Sequence, residues 1–234
     1  MRLLPIVFLL GCTPKLGALP VAEWAFAAEG LETTELSLGN GAQLRALRFD
    51  QARYQLQLLS PAGGVHVPVD APKDALAIWN GGYFEPDLKP SGLVVEQGRE
   101  VAPPSRGSAL LLLGDRFSLV RFRETPPARL RESALQLWPF LIEPGGGDGI
   151  RRDDGKRARR SAIGLDDSGR GLLAGVIGEG VTLYQLMALC RNLGAVVAAN
   201  LDGGPSTGFA LAPAPSWKVA SETPVANALV LNAR

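Results

Sequence analysis

Two short apolar stretches of this chain end in the same way. Ala77-Ile78-Trp79 stops at Asn80-Gly81-Gly82, and Ala195-Val196-Val197-Ala198-Ala199 stops at Asn200-Leu201-Asp202-Gly203-Gly204. An apolar run of this length, closed by Gly and Pro, fits a strand buried on both faces. The paired glycines let the backbone leave the strand sharply or let a ligand approach it closely. Each strand thus carries a polar side chain, Asn80 or Asp202, to its end. Taken singly, either segment reads as an ordinary turn; the pair points to two strand ends lining one pocket.

Composition agrees with a sheet-based protein. The 234 residues are 46% hydrophobic, with 28 Gly and 18 Pro, which suits many turns between short strands better than a helical bundle. A net charge of +1 offers no broad footprint for nucleic acid, so none is expected as a partner. With two cysteines and one histidine, neither a disulfide framework nor a multi-histidine zinc site can be built.

The first residues have the form of a targeting segment. Arg2 precedes the apolar run Leu3 to Leu10, and Gly11-Cys12 follows, as in a bacterial lipoprotein signal cleaved before an acylated Cys12. The expected layout is a signal peptide at 1–11, a tether at 12–30 and one domain at 31–234. The expected location is the periplasmic or extracellular face of the bacterial envelope, with the membrane as partner through Cys12. The other cysteine, Cys190, falls on an apolar helix face and reads as core filling.

Alternation at Tyr54, Leu56 and Leu58 predicts a meander of half-buried strands across 36–60. A helical turn is expected at 74–77, and strand-like runs at 92–95, 109–113, 117–122 and 135–142. Residues 143–159 read as a polar, charged loop. A hairpin spans 160–177, closed near Asp167-Ser168-Gly169. One helix stands out at about 182–193: Thr182 and Gln185 have capping-box spacing, and Gly194 supplies the stop. The fold class read from this pattern is α+β, a mixed and mostly antiparallel sheet with one amphipathic helix.

Gly204-Pro205-Ser206-Thr207-Gly208 formally matches a serine-hydrolase nucleophile elbow, but its context fails. A Pro-rich loop follows in place of a helix, and the only histidine, His66, lies far upstream. What remains is a carboxylate, an amide and an arginine at strand ends: Asp202, Asn80 and Arg160. Arginine pairs with phosphate in a fork, and a carboxylate can move a proton at a glycosidic oxygen.

Several motifs resemble the phosphodiester glycosidase family. In order these are Asn80 to Phe84, Gly92 to Val95, Arg160 to Gly164, Gly180 to Leu183, Leu193 to Ala195, Asn200 to Ser206 and Pro224 to Leu229. This is the family of the lysosomal enzyme that removes N-acetylglucosamine from a phosphodiester on mannose. The resemblance implies a hydrolase acting at the glycosidic side of a sugar phosphodiester. It implies Asp202 as the catalytic carboxylate, with Glu179 as the candidate second one, and Arg160 as the phosphate contact. Asn80, Gly81, Gly82, Gly203, Gly204 and Ser206 are expected to line the substrate side. No cofactor is expected, since acidic residues around Asp202 are too sparse to argue a divalent ion. Pro205 and Thr223 depart from the family pattern, which keeps a second reading open: an envelope lipoprotein that binds glycan or phosphate polymer without cleaving it.

Overall fold

A computed structural model describes residues 19–124, 130–212 and 217–234. Cys12 and the expected signal segment lie outside them. Seventeen strands in these residues form three sheets, and every pairing is antiparallel. The first sheet runs β1 (Ala25–Ala28), β2 (Leu31–Ser37), β3 (Ala42–Phe49), β13 (Gly171–Val181), β12 (Ala158–Asp166), β14 (Ala195–Asn200) and β11 (Phe140–Ile142). The second runs β7 (Arg99–Ala102), β6 (Val94–Glu96), β10 (Ser133–Leu137), β8 (Ala109–Leu113) and β9 (Phe117–Arg121). The third runs β16 (Trp217–Val219), β15 (Phe209–Leu211), β5 (Ala77–Asn80), β17 (Ala228–Ala233) and β4 (Tyr54–Leu59).

This corrects the expected α+β class. Among the described residues strands make up 47% and helix 7%, with a single α-helix, so the fold is mostly β. The reason is how the sheet faces are covered. Helix α1 (Leu183–Asn192) covers only one face of the first sheet, packing Leu186, Leu189 and Cys190 against Leu44, Ala174 and Ala198. The opposite face is closed by other strands, through a core that joins Leu47, Phe49 and Leu173 to Trp79, Leu111, Leu135, Phe209 and Leu229. Period-two alternation divides β3 between these layers: Leu44 and Ala46 face the helix, Leu47 and Phe49 the other sheets. Trp79 of β5 stacks on Phe209 of β15 with centroids 4.4 Å apart. Gly175 of β13 admits that ring, because a Cβ there would stand 2.3 Å from it.

The helix has the caps read from its sequence. Gln185 N–H donates to Thr182 Oγ1 at 3.2 Å, and Thr182 N–H donates to Gln185 Oε1 at 3.0 Å. The hairpin at 160–177 is likewise found, as β12 and β13. Two local expectations change. Residues 74–76 run through a turn and a bend into β5, which begins at Ala77, and form no helix. The run 135–142 divides at Trp138-Pro139 into β10 and β11, which belong to different sheets, since proline has no N–H for a continuing ladder. Strand β1 pairs with β2, so the chain enters the sheet within the stretch expected as tether.

Candidate functional site

The two Gly-Gly strand ends meet although they come from different sheets. Asn80 closes β5 in the third sheet, and Asp202 follows β14 in the first. Asn80 is fully buried, and its amide serves the protein itself. Nδ2 donates to the Asp202 carbonyl at 2.8 Å, while Oδ1 accepts from Ser161 Oγ at 2.6 Å and from Gly208 N–H at 3.3 Å. Asp202 N–H donates to the Gly81 carbonyl at 3.0 Å. Both backbone groups of Asp202 are therefore held by the other strand end.

Gly81 and Gly82 form the floor of this junction. Gly81 N–H donates to the Asn227 carbonyl at 3.0 Å, and Gly82 N–H donates to Asn227 Oδ1 at 2.8 Å. A Cβ on Gly81 would stand 2.0 Å from Asn227 Oδ1, so only glycine permits this approach. Asn227 is fully buried, and its Nδ2 has no partner.

The Asp202 side chain is half-buried at the surface of the junction. Its Oδ1 accepts from Gly203 N–H at 2.8 Å, and its carboxylate also accepts from Ser206. Burial raises the Asp202 pKa above the ordinary aspartate value, and the Ser206 and Gly203 hydrogen bonds offset part of that rise. Gly204 takes a positive φ of +61° to start the 3-10 turn Gly204–Ser206, which aims Ser206 back at Asp202. Ser206 is 6% exposed, while His66 pairs with Asp70 at 3.3 Å. No serine–histidine dyad is formed.

Arg160 lies against the turn that follows Asp202, with its Cδ 3.6 Å from where a Gly203 Cβ would be, and Tyr83 feels the charge of both residues. Its Nε donates to the Val181 carbonyl at 3.2 Å and its Nη2 to the Lys156 carbonyl at 3.0 Å. No carboxylate lies within ion-pair distance of it among the described residues. Burial lowers the Arg160 pKa, opposed by Tyr83 and Asp154, yet a guanidinium stays cationic under such shifts. A half-buried cation that lacks a carboxylate partner is a ready site for an anion.

Tyr83 completes the group and was not singled out by its sequence. It stacks on Trp138 with centroids 4.0 Å apart, and its hydroxyl donates to the Trp138 carbonyl at 2.6 Å. Asn200 Nδ2 donates to the same hydroxyl. Burial, reinforced by the Asp202 charge, pushes the Tyr83 pKa far above the ordinary phenol value, so it stays neutral. The signals for Asn200 and Asn227 were present, since each lies within a quoted motif. Trp138 had none, because it enters only through the third dimension.

Glu179 is not brought to this group. It is exposed in the irregular end of β13, with its Cγ beside the β2–β3 turn at Gly41. The neighbouring Arg159 is engaged elsewhere: Nη1 pairs with Glu222 at 2.6 Å, and Nη2 donates to the Thr207 and Ala220 carbonyls. Among the described residues no three His, Cys, Asp or Glu side chains gather as for a metal.

Comparison with known proteins places the chain. Residues 73–232 match the phosphodiester glycosidase family. No curated protein matches. Among solved structures, the catalytic domain of zebrafish N-acetylglucosamine-1-phosphodiester alpha-N-acetylglucosaminidase, auto-inhibited by its pro-peptide, superposes with a TM-score of 0.68 at 17% identity. That match covers 93% of this chain and 92% of the zebrafish one. A hypothetical protein from Synechocystis gives a TM-score of 0.72 at 16% identity over 93% of this chain, which spans 64% of that protein. At these identities the structures show a shared fold. The family match covers more than half of the sequence and includes both Gly-Gly strand ends, so the chain belongs to the phosphodiester glycosidase family.

Proposed function

We propose that the protein hydrolyses a sugar phosphodiester on its glycosidic side, with Asp202 as the proton-transferring carboxyl and Arg160 as the phosphate contact. The observation that carries this reading is that Asp202, whose pKa burial raises, and Arg160, a guanidinium with no carboxylate within ion-pair distance among the described residues, flank one turn and both act on Tyr83. Breaking the bond between the anomeric carbon and the phosphate oxygen leaves negative charge on the phosphate. Arg160 stabilises that charge, and the protonated Asp202 supplies a proton to the leaving oxygen. Water takes the anomeric carbon and releases its own proton, which returns Asp202 or solvent to the starting state.

In this reading Asn80 positions Asp202, and the Gly203 N–H and Ser206 hydroxyl orient the carboxyl. Glu179, beside the Gly41 turn, is kept only as the candidate second carboxylate and has no part in this step. The chain would act at the bacterial envelope, held by a lipid on Cys12. A Cys12→Ser variant tests that anchor by moving the protein from the membrane fraction to the soluble one.

The decisive assay measures turnover of a sugar-1-phosphodiester by the wild type beside Asp202→Asn and Arg160→Gln. Loss of proton transfer should cost about 10²- to 10⁴-fold in kcat. Equal turnover by wild type and Asp202→Asn would remove Asp202 from the chemistry. Saturable binding without released sugar in the wild type would favour the binding-only alternative, in which Pro205 contributes no N–H to the ligand.

A further inference from the structure

Beside the proposed site lies a concentration of positive charge. Residues 151–160, Arg-Arg-Asp-Asp-Gly-Lys-Arg-Ala-Arg-Arg, hold six cations and two carboxylates in a protein whose net charge is +1. Two of the four carboxylates of this connection are paired with arginines outside the stretch; the other two accept backbone N–H groups, and Asp154 also acts on Arg160. Glu143 pairs with Arg121 at 2.8 Å and Asp148 with Arg191 at 2.6 Å. Asp153 Oδ1 accepts from Gly155 N–H at 3.1 Å, and Asp154 Oδ1 accepts from Lys156 N–H at 3.0 Å. Arg151, Arg152, Lys156 and Arg157 are exposed and have no carboxylate within ion-pair distance among the described residues.

This charge is joined to the site by a direct contact. Arg160 Nη2 donates to the Lys156 carbonyl, so the arginine that lies against Gly203 also holds the cationic stretch next to the Asp202 turn. Seven residues from Arg151 to Arg157 can extend over at most about 20 Å. That length exceeds one phosphate and suits several in sequence. A single exposed cation is worth little after solvent screening, but a row of them attracts a polyanion collectively.

We propose that the ligand is a polyanion, a glycan chain with repeated phosphodiesters. Arg160 meets the phosphate at the scissile linkage, and Arg151, Arg152, Lys156 and Arg157 hold the phosphates that flank it. This rests on the reading of Asp202 and Arg160 given above. The occupant is a polymer strand and not an anionic lipid surface, because the cations follow one another along a single stretch that leads, through Arg160, to the turn after Asp202.

The test uses long-chain inorganic polyphosphate as probe, with tripolyphosphate as the short comparator, and measures Kd at low and moderate salt. The variant R151Q/R152Q/R157Q removes three cations from the rim; K73Q/R99Q/R116Q removes three exposed cations elsewhere and matches its net charge. The rim variant should weaken long-chain binding about ten-fold and flatten the salt slope by about 2 to 3, with a much smaller effect on tripolyphosphate. The control variant should keep its Kd within about two-fold of wild type. Equal weakening by both variants, or none by either, overturns the proposal, as does preferential capture by anionic phospholipid vesicles over polyphosphate. A rim variant that loses polyphosphate binding, in a protein that turns over no sugar phosphodiester, sinks the hydrolase reading and leaves the polyanion site standing.

Discussion

Asn80 and Asp202, 122 residues apart, are joined by a hydrogen bond of 2.8 Å from the Asn80 amide to the Asp202 main-chain carbonyl. That bond links the end of a strand in the third sheet to the end of a strand in the first. One residue of the pair is sealed in the interior, and the other presents its carboxyl at the surface. The division of labour follows from the chemistry. A neutral amide can be buried if its donor and acceptor are matched, whereas a buried carboxylate without a partner is costly.

Replacing Asn80 by Ala should therefore act mainly on stability. It leaves Ser161 Oγ, Gly208 N–H and the Asp202 carbonyl without their partner, at an expected cost of about 2 to 4 kcal/mol. Urea denaturation reads this loss directly. If Asn80→Ala unfolds at the wild-type midpoint, the amide does not hold the junction.

The raised pKa of Asp202 has a consequence for stability against pH. The folded protein keeps the proton to higher pH than the unfolded chain, so it binds more protons between the ordinary aspartate value and the raised one. Stability from this group consequently falls as pH rises through that window. Asp202→Asn removes the effect. The variant should gain stability over wild type as pH rises through that window and keep the gain above it, and the gap should close below the ordinary aspartate value. Thermal melts across pH 3 to 8 measure it, and an Asn variant that is less stable at neutral pH contradicts the assignment.

Two glycines of the junction should respond differently to alanine. At Gly81 the added Cβ would collide with the Asn227 side chain and carbonyl, at 2.0 and 2.8 Å, so the strand end must move. At Gly204 nothing lies within 4 Å, and the cost is the positive φ of +61° alone. Gly204→Ala should lose about 1 to 2 kcal/mol and fold. Gly81→Ala should lose more than that and also lower turnover, because Asp202 N–H rests on the Gly81 carbonyl.

The thiol of Cys190 should be inert in the folded protein. It is 4% exposed, and burial pushes its pKa up to about 12. In a Cys12→Ser background, a thiol reagent at pH 8 should label no cysteine in native buffer and one after denaturation. Rapid native labelling would place Cys190 outside the helix–sheet core.

The amino-acid sequence determined the parts of this protein that local interactions decide. The capping box and the stop at Gly194 specify helix α1 over a few neighbouring residues, and alternation with a tight turn specifies the β12–β13 hairpin. It also placed polar groups at the ends of two apolar strands. Only the tertiary structure decided what those groups meet. It closed the sheet faces with other sheets, making the fold mostly β, and it set Tyr83 and Trp138 against Asn200 beside Asp202. Arg159 and Arg160 show the physical reason. Adjacent and chemically identical, they meet different partners at the bulge with which β12 begins. One is taken up by Glu222, and the other lies against Gly203 with no carboxylate within ion-pair distance among the described residues.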